Sequence, residues 1–302
     1  MTVFDVAVAW NWDHDAGFIG FFRQACAARS LSLLEITPQN LPAAAEALSA
    51  GQLTFRSFMN RAADTDVSFL SLVRWARENG AFRVNPHEQE FYSADKATMH
   101  LELISAGLHT PYTIILAPYS EQPQLPILDL SPLGDSFAIK PAMGGGGQGV
   151  VLEATNRDQV LQARQQFPDD KYLVQAHVEP KLLDGRPAWF RVIYCVGEVF
   201  VSWWPPETHV YHPVTKEDVV RYGLGALYDM AVRIGDVCQL HLFSTEIALT
   251  QDDQFLAVDY VNDQIDLRLQ SQAVDGVPDA IVQEITGRLA DLVVDALESR
   301  ES

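Results

Sequence analysis

The chain has 302 residues, 48% of them apolar, and a formal net charge of −19. This length suggests two or three subdomains with enough apolar material for packed cores. The negative charge argues against a nucleic-acid partner, because phosphate backbones are bound by clustered Lys and Arg. The three cysteines are widely spaced, which excludes a disulfide framework and a CxxC metal pair. The sequence contains no unbroken apolar run of about 18 residues that would predict a membrane span. We therefore expect a cytoplasmic protein without a membrane partner.

The first third of the chain alternates short strands and helices. The predicted strands cover residues 3–9, 31–36, 53–58 and 82–86. Between them we predict a helix that contains Phe18, a helix over residues 42–48, and a helix that Asp64 caps and Gly80 closes. This alternation predicts a small parallel α/β domain.

The middle of the chain begins with a helix after Asp95-Lys96. Its predicted apolar face consists of Ala97, Leu101 and Ile104. The elements predicted after it are a strand at 112–117, a loop at 118–134, a Gly-rich hairpin, a helix at 157–167 and a strand at 171–178.

The last third predicts antiparallel strands and two helices. The predicted elements are a hairpin over 188–204, a helix over 223–237, and strands over 243–250 and 255–261. A final amphipathic helix opens at Pro278, and its predicted apolar face is Ile281, Ile285, Leu289, Leu292, Val293 and Leu297.

The most informative segment is the apolar strand that ends in Lys140-Pro141 and is followed by five glycines within residues 144–149. Glycines let backbone N–H groups approach a ligand closely, and a row of N–H groups favours anionic oxygens. Lys140 adds a positive charge at the start of the loop. The pattern is neither a Walker loop nor a Rossmann turn, because the glycines lead into a strand at Val151 rather than into a helix. A phosphate ligand is the interpretation we favour.

The segment resembles the flexible Gly-rich lid of the ATP-grasp enzymes, and the order of the remaining elements is similar to that family over most of the chain. The nearest likeness is to the carboxylate–amine ligases, such as the ribosomal-protein glutamate ligases and the glutathione synthetases. The resemblance implies an α/β (α+β) fold with three parts. These are a pre-ATP-grasp domain at 1–92, an ATP-grasp subdomain with the lid at 93–174, and a second subdomain with hinge and metal strands at 175–302.

The resemblance implies ATP as the nucleotide and assigns residues to it. Lys96 and Lys140 are expected at the phosphates, and the segment around Gln175 is similar to the hinge that pairs with adenine. The expected nucleotide contacts are Lys96, Lys140, Gly144, Gly145, Gly146, Gly147, Gln148, Gly149, Gln175, His177, Val178 and Glu179. Glu179 is the first candidate for a ribose contact and Asp184 is the second.

The family pattern Asp-x-Arg has its counterpart at Trp189-Phe190-Arg191. The resemblance implies that Arg191 is catalytic together with Lys140 and contacts the transferred phosphate. Trp189 departs from the family Asp, which leaves the ribose contact open.

Two acids within apolar strands, Glu246 and Asp259, are the predicted Mg²⁺ ligands. A buried carboxylate is costly unless it is paired or ligated, and Mg²⁺ takes carboxylate and phosphate oxygens. Asn262 completes the predicted set, although strict alternation would put Asp259 and Asn262 on opposite faces. The sequence therefore requires that the strand ends or bulges near Tyr260, or else Asn262 is not a ligand.

The resemblance implies an ADP-forming ligase that joins a small carboxylate to an amine through an acylphosphate. A small-molecule kinase of the same fold and a nucleotide-binding regulatory protein without turnover are the alternatives. Candidate substrate contacts are Asp13, His14, His209 and Arg268. The sequence leaves the identity of the substrates and the oligomeric state open, a homodimer included.

Overall fold

The structure, a computed structural model, describes residues 1–300 and is a mixed α/β fold. The last two residues of the C-terminal subdomain predicted at 175–302 lie outside the described residues. Three larger sheets organise the molecule: one parallel sheet at the N-terminus and two antiparallel sheets after it. The division of the chain after residues 92 and 174 stays a proposal.

The N-terminal part is the parallel α/β domain that the sequence predicts. It comprises β1 (Thr2–Trp10), α1 (Ala16–Ala28), β2 (Leu33–Ile36), α2 (Leu41–Ser49), β3 (Leu53–Arg61), α3 (Leu70–Glu78) and β4 (Phe82–Val84). Its strands are ordered β2-β1-β3-β4 and all pair in parallel. Helices α4 (His87–Ala94) and α5 (Lys96–Ser105) lead out of this domain.

The middle part is a four-stranded antiparallel sheet with one helix. Its elements are β5 (Thr113–Leu116), β6 (Phe137–Pro141), β7 (Val151–Ala154), α6 (Arg157–Arg164) and β8 (Tyr172–Ala176). The strand order is β5-β8-β6-β7, and the Gly-rich segment joins β6 to β7 as predicted. Phe137 and Ile139 share a buried cluster with Val160 of α6, so α6 covers one face of this sheet.

The C-terminal part holds a five-stranded antiparallel sheet in the order β13-β12-β11-β14-β15. Its elements are β9 (Leu182–Leu183), β10 (Arg186–Pro187), β11 (Trp189–Cys195), β12 (Glu198–Trp203), β13 (His212–Pro213), α7 (Lys216–Tyr222), α8 (Gly225–Cys238), β14 (Leu242–Leu249), β15 (Phe255–Asn262) and α9 (Asp279–Glu298). Helix α9 buries Ile285, Leu289 and Val293 in one cluster with Val6 and Phe18. The C-terminal helix therefore packs on the N-terminal domain.

The predicted apolar face of α5 is right for Ala97, which is buried, and wrong for its other two residues. Leu101 and Ile104 are 58% and 49% exposed, whereas Met99, His100 and Leu103 are buried. The helix turns this other face inward because α8 and the end of β15 pack there, a partner that the local spacing does not reveal. No helix within residues 1–300 has both the length and the apolar character that crossing a bilayer requires.

Candidate active site

Lys96 is the first residue of α5, and its neighbour Asp95 explains why the helix begins there. The Asp95 carboxylate accepts hydrogen bonds from backbone N–H groups of the first turn and so caps the helix. Lys96 Nζ donates to the carbonyl oxygen of Gly144, and Lys96 N donates to that of Ala142 at 3.0 Å. A lysine and a helix N-terminus, both favourable to anions, therefore face the start of the Gly-rich loop.

Lys140 lies near the end of β6 and links the two antiparallel sheets. Its Nζ donates to Gln175 Oε1 at 2.8 Å on the neighbouring β8 and to the carbonyl oxygen of Val258 at 3.5 Å on β15. Burial lowers the pKa of Lys140, while the nearby carboxylates of Asp259 and Glu246 act to raise it. The ammonium group is thus placed between the sheets with two acids close to it.

The Gly-rich loop packs closely against its surroundings at both ends and is open at its tip. Gly149 has a φ of +72°, and an added Cβ would lie 2.5 Å from Phe167. A Cβ on Gly144 would lie 2.6 Å from Pro141, whereas one on Gly145 would meet nothing within 4 Å. The two ends of the loop are therefore fixed by packing, whereas its exposed tip has space around it to approach a ligand.

A cavity of about 480 Å³ lies between this loop and residues 166–170. Asp169 and Asp170 line it, and its lining contains neither Lys nor Arg. Pro141 also lines the cavity and follows Lys140 directly on β6, so the two side chains point to opposite faces of the sheet. This acidic cavity, which Gly144, Gly145 and Gln148 of the loop also line, is unsuited to a triphosphate, and Lys140 lies on the other face of the sheet.

Gln175, predicted at the hinge, is 1% exposed and begins a hydrogen-bonded chain. Its Nε2 donates to the Tyr260 hydroxyl at 3.0 Å, and that oxygen lies 2.7 Å from His100 Nδ1. Burial lowers the pKa of His100, which favours a neutral ring able to accept the hydroxyl proton. This chain fixes the amide oxygen that faces Lys140. Sequence reasoning missed Tyr260 and His100, because only the fold brings them to Gln175.

Arg191 and Glu246 lie opposite each other on β11 and β14. Arg191 Nη1 donates to Glu246 Oε1 at 2.6 Å, and Trp189 Nε1 donates to Oε2 at 3.1 Å. Burial raises the pKa of Glu246, and the positive charge of Arg191 opposes that rise. Trp189, which replaces the family Asp, therefore holds Glu246 in this structure.

Strand β15 bulges on both sides of Asp259. Its register on β14 pairs Ala257 with Ile247, Asp259 with Glu246 and Asn262 with Ser244, so β15 carries one extra residue in each interval. Glu246 and Ser244 are two residues apart and share a face. Asp259 and Asn262 are their pairing partners and therefore share the same face, and Asn262 Nδ2 donates to Asp259 Oδ2 at 2.9 Å. The bulge that the Asp-x-x-Asn spacing requires is present.

Asp259 lies within the field of several cations. Burial opposes ionisation of this carboxyl, but Lys96, Lys140 and Arg191 together with the amide of Asn262 outweigh it and hold the pKa below its usual value. The carboxylate is therefore ionised and sits where three positive charges meet. Charged side chains from four different elements therefore interact at this carboxylate.

The donor set suits magnesium. Within residues 1–300 no group of three or more His, Cys, Asp or Glu side chains could hold a metal ion. Mg²⁺ is usually bound by one or two carboxylates plus substrate phosphates and water. Glu246 and Asp259, paired in register, are two carboxylates that could bind such an ion, and Asn262 lies beside Asp259 with an amide oxygen.

The other predicted hinge residues follow the end of β8. His177 and Glu179 are exposed, and Val178 is buried beside Val258. Asp184, the second ribose candidate, accepts hydrogen bonds from Arg221 and from the Tyr222 hydroxyl. Both partners belong to α7, which ties Asp184 to the surface of the C-terminal part.

Two of the four candidate substrate residues, His209 and Arg268, lie beside tryptophan rings. His209 stacks on Trp204 at 4.2 Å, and the Arg191 guanidinium lies 5.3 Å from the centre of the same ring. Arg268 lies 6.0 Å from the ring of Trp12, but Asp266 and Asp275 pair with its guanidinium.

The other two, Asp13 and His14, are exposed residues of the turn between β1 and α1. The ring of His14 lies 5.0 Å from that of Trp12. The structure thus connects His209 to Arg191 through Trp204, a ring that sequence reasoning did not select.

The architecture matches solved structures over nearly the whole chain. A RimK-domain ATP-grasp protein from Sphaerobacter thermophilus is 20% identical with a TM-score of 0.62, covering 96% of this chain and 99% of that chain. D-alanine–D-alanine ligase from Bacillus anthracis, solved with ATP, is 12% identical with a TM-score of 0.65 and 98% coverage of both chains. The chain has the ATP-grasp fold.

A third ATP-grasp structure, the ligase PsnB solved with a minimal precursor, Mg and ADP, is 14% identical with a TM-score of 0.64. It covers 97% of this chain and 98% of that chain. No protein-family model matches the chain, and no curated protein matches it either. At sequence identities of 12–20%, the likeness to ATP-grasp structures establishes the architecture but not the reaction.

Proposed function

We propose that this protein is an ATP- and Mg²⁺-dependent ligase that joins a carboxylate to an amine and forms ADP. One observation carries the proposal. Arg191 donates to Glu246, which is paired in register with Asp259, and Lys140 Nζ donates to the carbonyl oxygen of Val258 directly before Asp259, so cations from separate elements lie beside two carboxylates. A site with several cations around a carboxylate suits a magnesium nucleotide. The proposal is also supported by the ligases that share the fold.

The proposed reaction has two steps. An oxygen of the substrate carboxylate attacks the γ-phosphorus of ATP, the bond to the bridging oxygen breaks, and ADP and an acylphosphate form. The amine nitrogen then attacks the acyl carbon, phosphate leaves, and the amine loses a proton. Both steps need positioning and charge neutralisation more than covalent help from the protein.

We assign the charged side chains by their placement. Lys96 at the helix N-terminus and Lys140 between the sheets would neutralise phosphate oxygens, with the tip of the Gly-rich loop supplying backbone N–H groups. Arg191 offers a fixed guanidinium fork to the transferred phosphoryl group. Glu246, Asp259 and Asn262 would hold Mg²⁺, and that ion would neutralise further charge on the nucleotide phosphates.

The product decides between the ligase and its two alternatives. We would incubate the protein with MgATP and a panel of acids and amines and follow phosphorus by ³¹P NMR. The panel includes peptides that carry both groups, because PsnB was solved with a precursor peptide. The proposal predicts ADP and free phosphate in equal amounts only when acid and amine are both present.

Two other results contradict the ligase proposal. Phosphate retained on a hydroxyl of the substrate would identify a kinase, and nucleotide binding without turnover on any combination would identify a regulatory protein. Hydroxylamine in place of the amine provides a direct control, since it should trap the acylphosphate as a hydroxamate whose amount depends on the acid alone.

A further inference from the structure

The bulged segment of β15 is held from outside by two side chains that the assignment above does not use. Thr245, fully buried on β14, donates from Oγ1 to the carbonyl oxygen of Asp259 at 2.9 Å. Asn85, which follows β4 in the N-terminal domain, binds the segment at the other end of the bulge. The two contacts bracket the interval from Asp259 to Asn262.

Asn85 uses its whole amide to connect the two candidate metal strands. Its Oδ1 accepts from the backbone N–H groups of His241 and Leu242 at 2.8 and 3.1 Å. Its Nδ2 donates to the carbonyl oxygen of Leu242 at 2.6 Å and to Asp263 Oδ1 at 2.7 Å. One side chain therefore fixes the start of β14 and the residue directly after Asn262. Asn85 is 7% exposed and has a φ of +51°, a backbone conformation that few side chains favour.

The same domain edge anchors the next residues of the chain. Gln264 Nε2 donates to the carbonyl oxygen of Asn60 at 2.9 Å, and Arg61 Nη2 donates to that of Ile265 at 2.9 Å. The segment 263–265 is thus attached to the ends of β3 and β4. The exit of β15 is set by the N-terminal domain, so the position of Asn262 depends on it.

We infer that Asn85 and Thr245 are positioning residues that maintain the β15 bulges and so keep Asp259 and Asn262 on the metal-facing side. The inference rests on the proposed function, because it concerns the Mg²⁺ site assigned there. Its physical basis is the two-residue period of a strand, since a shift of one residue turns a side chain to the opposite face. Without the two contacts, the regular register seen at Ala257 would place Val258 rather than Asp259 opposite Glu246.

The test measures Mg²⁺ dependence separately from stability. Asn85→Gly removes the amide and tolerates the positive φ, and Asn85→Asp keeps the acceptor but removes the donor. For each variant we would record the Mg²⁺ concentration that gives half of the ADP-induced rise in Tm, and the same midpoint for turnover. We expect both midpoints to rise about tenfold or more, as for residues that orient metal ligands.

Thr245 provides a second pair of variants in case the Asn85 variants do not fold. Thr245→Val keeps the shape but leaves the Asp259 carbonyl without its donor, and Thr245→Ser restores the hydroxyl. The Mg²⁺ midpoint should rise in Thr245→Val and return towards the wild-type value in Thr245→Ser. Arg29→Ala is the matched control, because it removes an ion pair to Asp291 between α1 and α9 that lies away from the strands.

The outcomes separate the inference from the proposal on which it rests. For Arg29→Ala we expect a lower Tm and a wild-type Mg²⁺ midpoint. The same result in the Asn85 variants and in Thr245→Val would overturn the inference and leave the proposed function intact. A wild-type protein whose ADP-induced shift does not depend on Mg²⁺ would instead remove the proposed metal site, and the positioning role with it.

Discussion

Glu90 is a carboxyl group that the protein buries, with His87 Nδ1 3.1 Å from its Oε2. Its side chain is 6% exposed, Oε2 accepts from Asn60 Nδ2 at 3.3 Å, and Oε1 is buried with no hydrogen-bond partner. Burial raises the pKa of Glu90 to about 8, and burial together with Glu90 raises the pKa of Asp263 to about 8. A neutral Glu90 is therefore the form that suits the folded protein.

This burial predicts a loss of stability as the pH rises. The unfolded chain releases the Glu90 proton near pH 4.5, while the folded chain keeps it up to about pH 8. The unfolded state thus binds fewer protons in this window, and the free energy of unfolding falls between these two values. Glu90→Gln should flatten the fall, as measured by urea unfolding across this pH range. A variant whose curve runs parallel to that of the wild type would show that Glu90 does not titrate in this way.

The candidate site residues differ in how far the sequence alone could identify them. Lys96 follows a helix cap, Lys140 precedes a Gly-rich loop and Arg191 lies in an aromatic strand. These short sequence patterns were enough to identify all three. Asn85 and His100 could not be found in this way. The partners of Asn85 at Leu242 and of His100 at Tyr260 are 157 and 160 residues away along the chain.

Among the elements, long periodic segments were predictable and short ones were not. The closing helix α9 buries Ile285, Leu289 and Val293 as its spacing predicts. Helix α4 follows Asn85-Pro86 and was missed, because eight residues with few apolar side chains give no clear period. Helix α7 was also missed, although Thr215 and Asp218 form a capping box that marks its start.

The Gly-rich loop allows a prediction about its tip. Gly145→Ala adds a Cβ that meets nothing within 4 Å, so Tm should stay close to the wild-type value. If the tip approaches the phosphates, the same Cβ should raise KM for ATP on the order of tenfold, about 1.4 kcal/mol of binding free energy. Steady-state kinetics at varied ATP measure this.

The matched control is Gly20→Ala in α1, where an added Cβ also meets nothing within 4 Å. Its KM should equal that of the wild type. If Gly145→Ala behaves like Gly20→Ala, the backbone of the tip does not contact the nucleotide.

At the scale of the whole molecule, Arg61 joins the N-terminal domain to the C-terminal part and is held by a buried ion pair within its own domain. Arg61 Nη2 and Nε donate to both oxygens of Asp15, whose side chain is 2% exposed, while that of Arg61 is 6% exposed. Arg61 also donates to the carbonyl oxygen of Ile265. This contact connects the ends of β1 and β3 to the chain that follows β15.

Arg61→Ala should therefore destabilise the protein strongly. Removing one partner leaves a buried charge unpaired, which typically costs about 3–5 kcal/mol. Arg23→Ala, which breaks an exposed pair with Glu35 in the same domain, should cost about 0–1 kcal/mol. Urea unfolding gives both free energies, and equal small losses would show that the buried Arg61–Asp15 pair does not stabilise the fold in this way.

The claim that MgATP binds between the two antiparallel sheets is tested most directly by titration calorimetry. We expect binding heat for the wild type, and a stabilisation of about 2.7 kcal/mol when ATP is at 100 times Kd. Lys140→Ala should weaken binding by about 10- to 100-fold, since a hydrogen bond to a charged group is worth about 1.5–3 kcal/mol. Lys216→Ala, at an exposed lysine of α7, should leave Kd unchanged. Absence of binding heat at millimolar MgATP, or equal Kd values for Lys140→Ala and the wild type, would contradict the account.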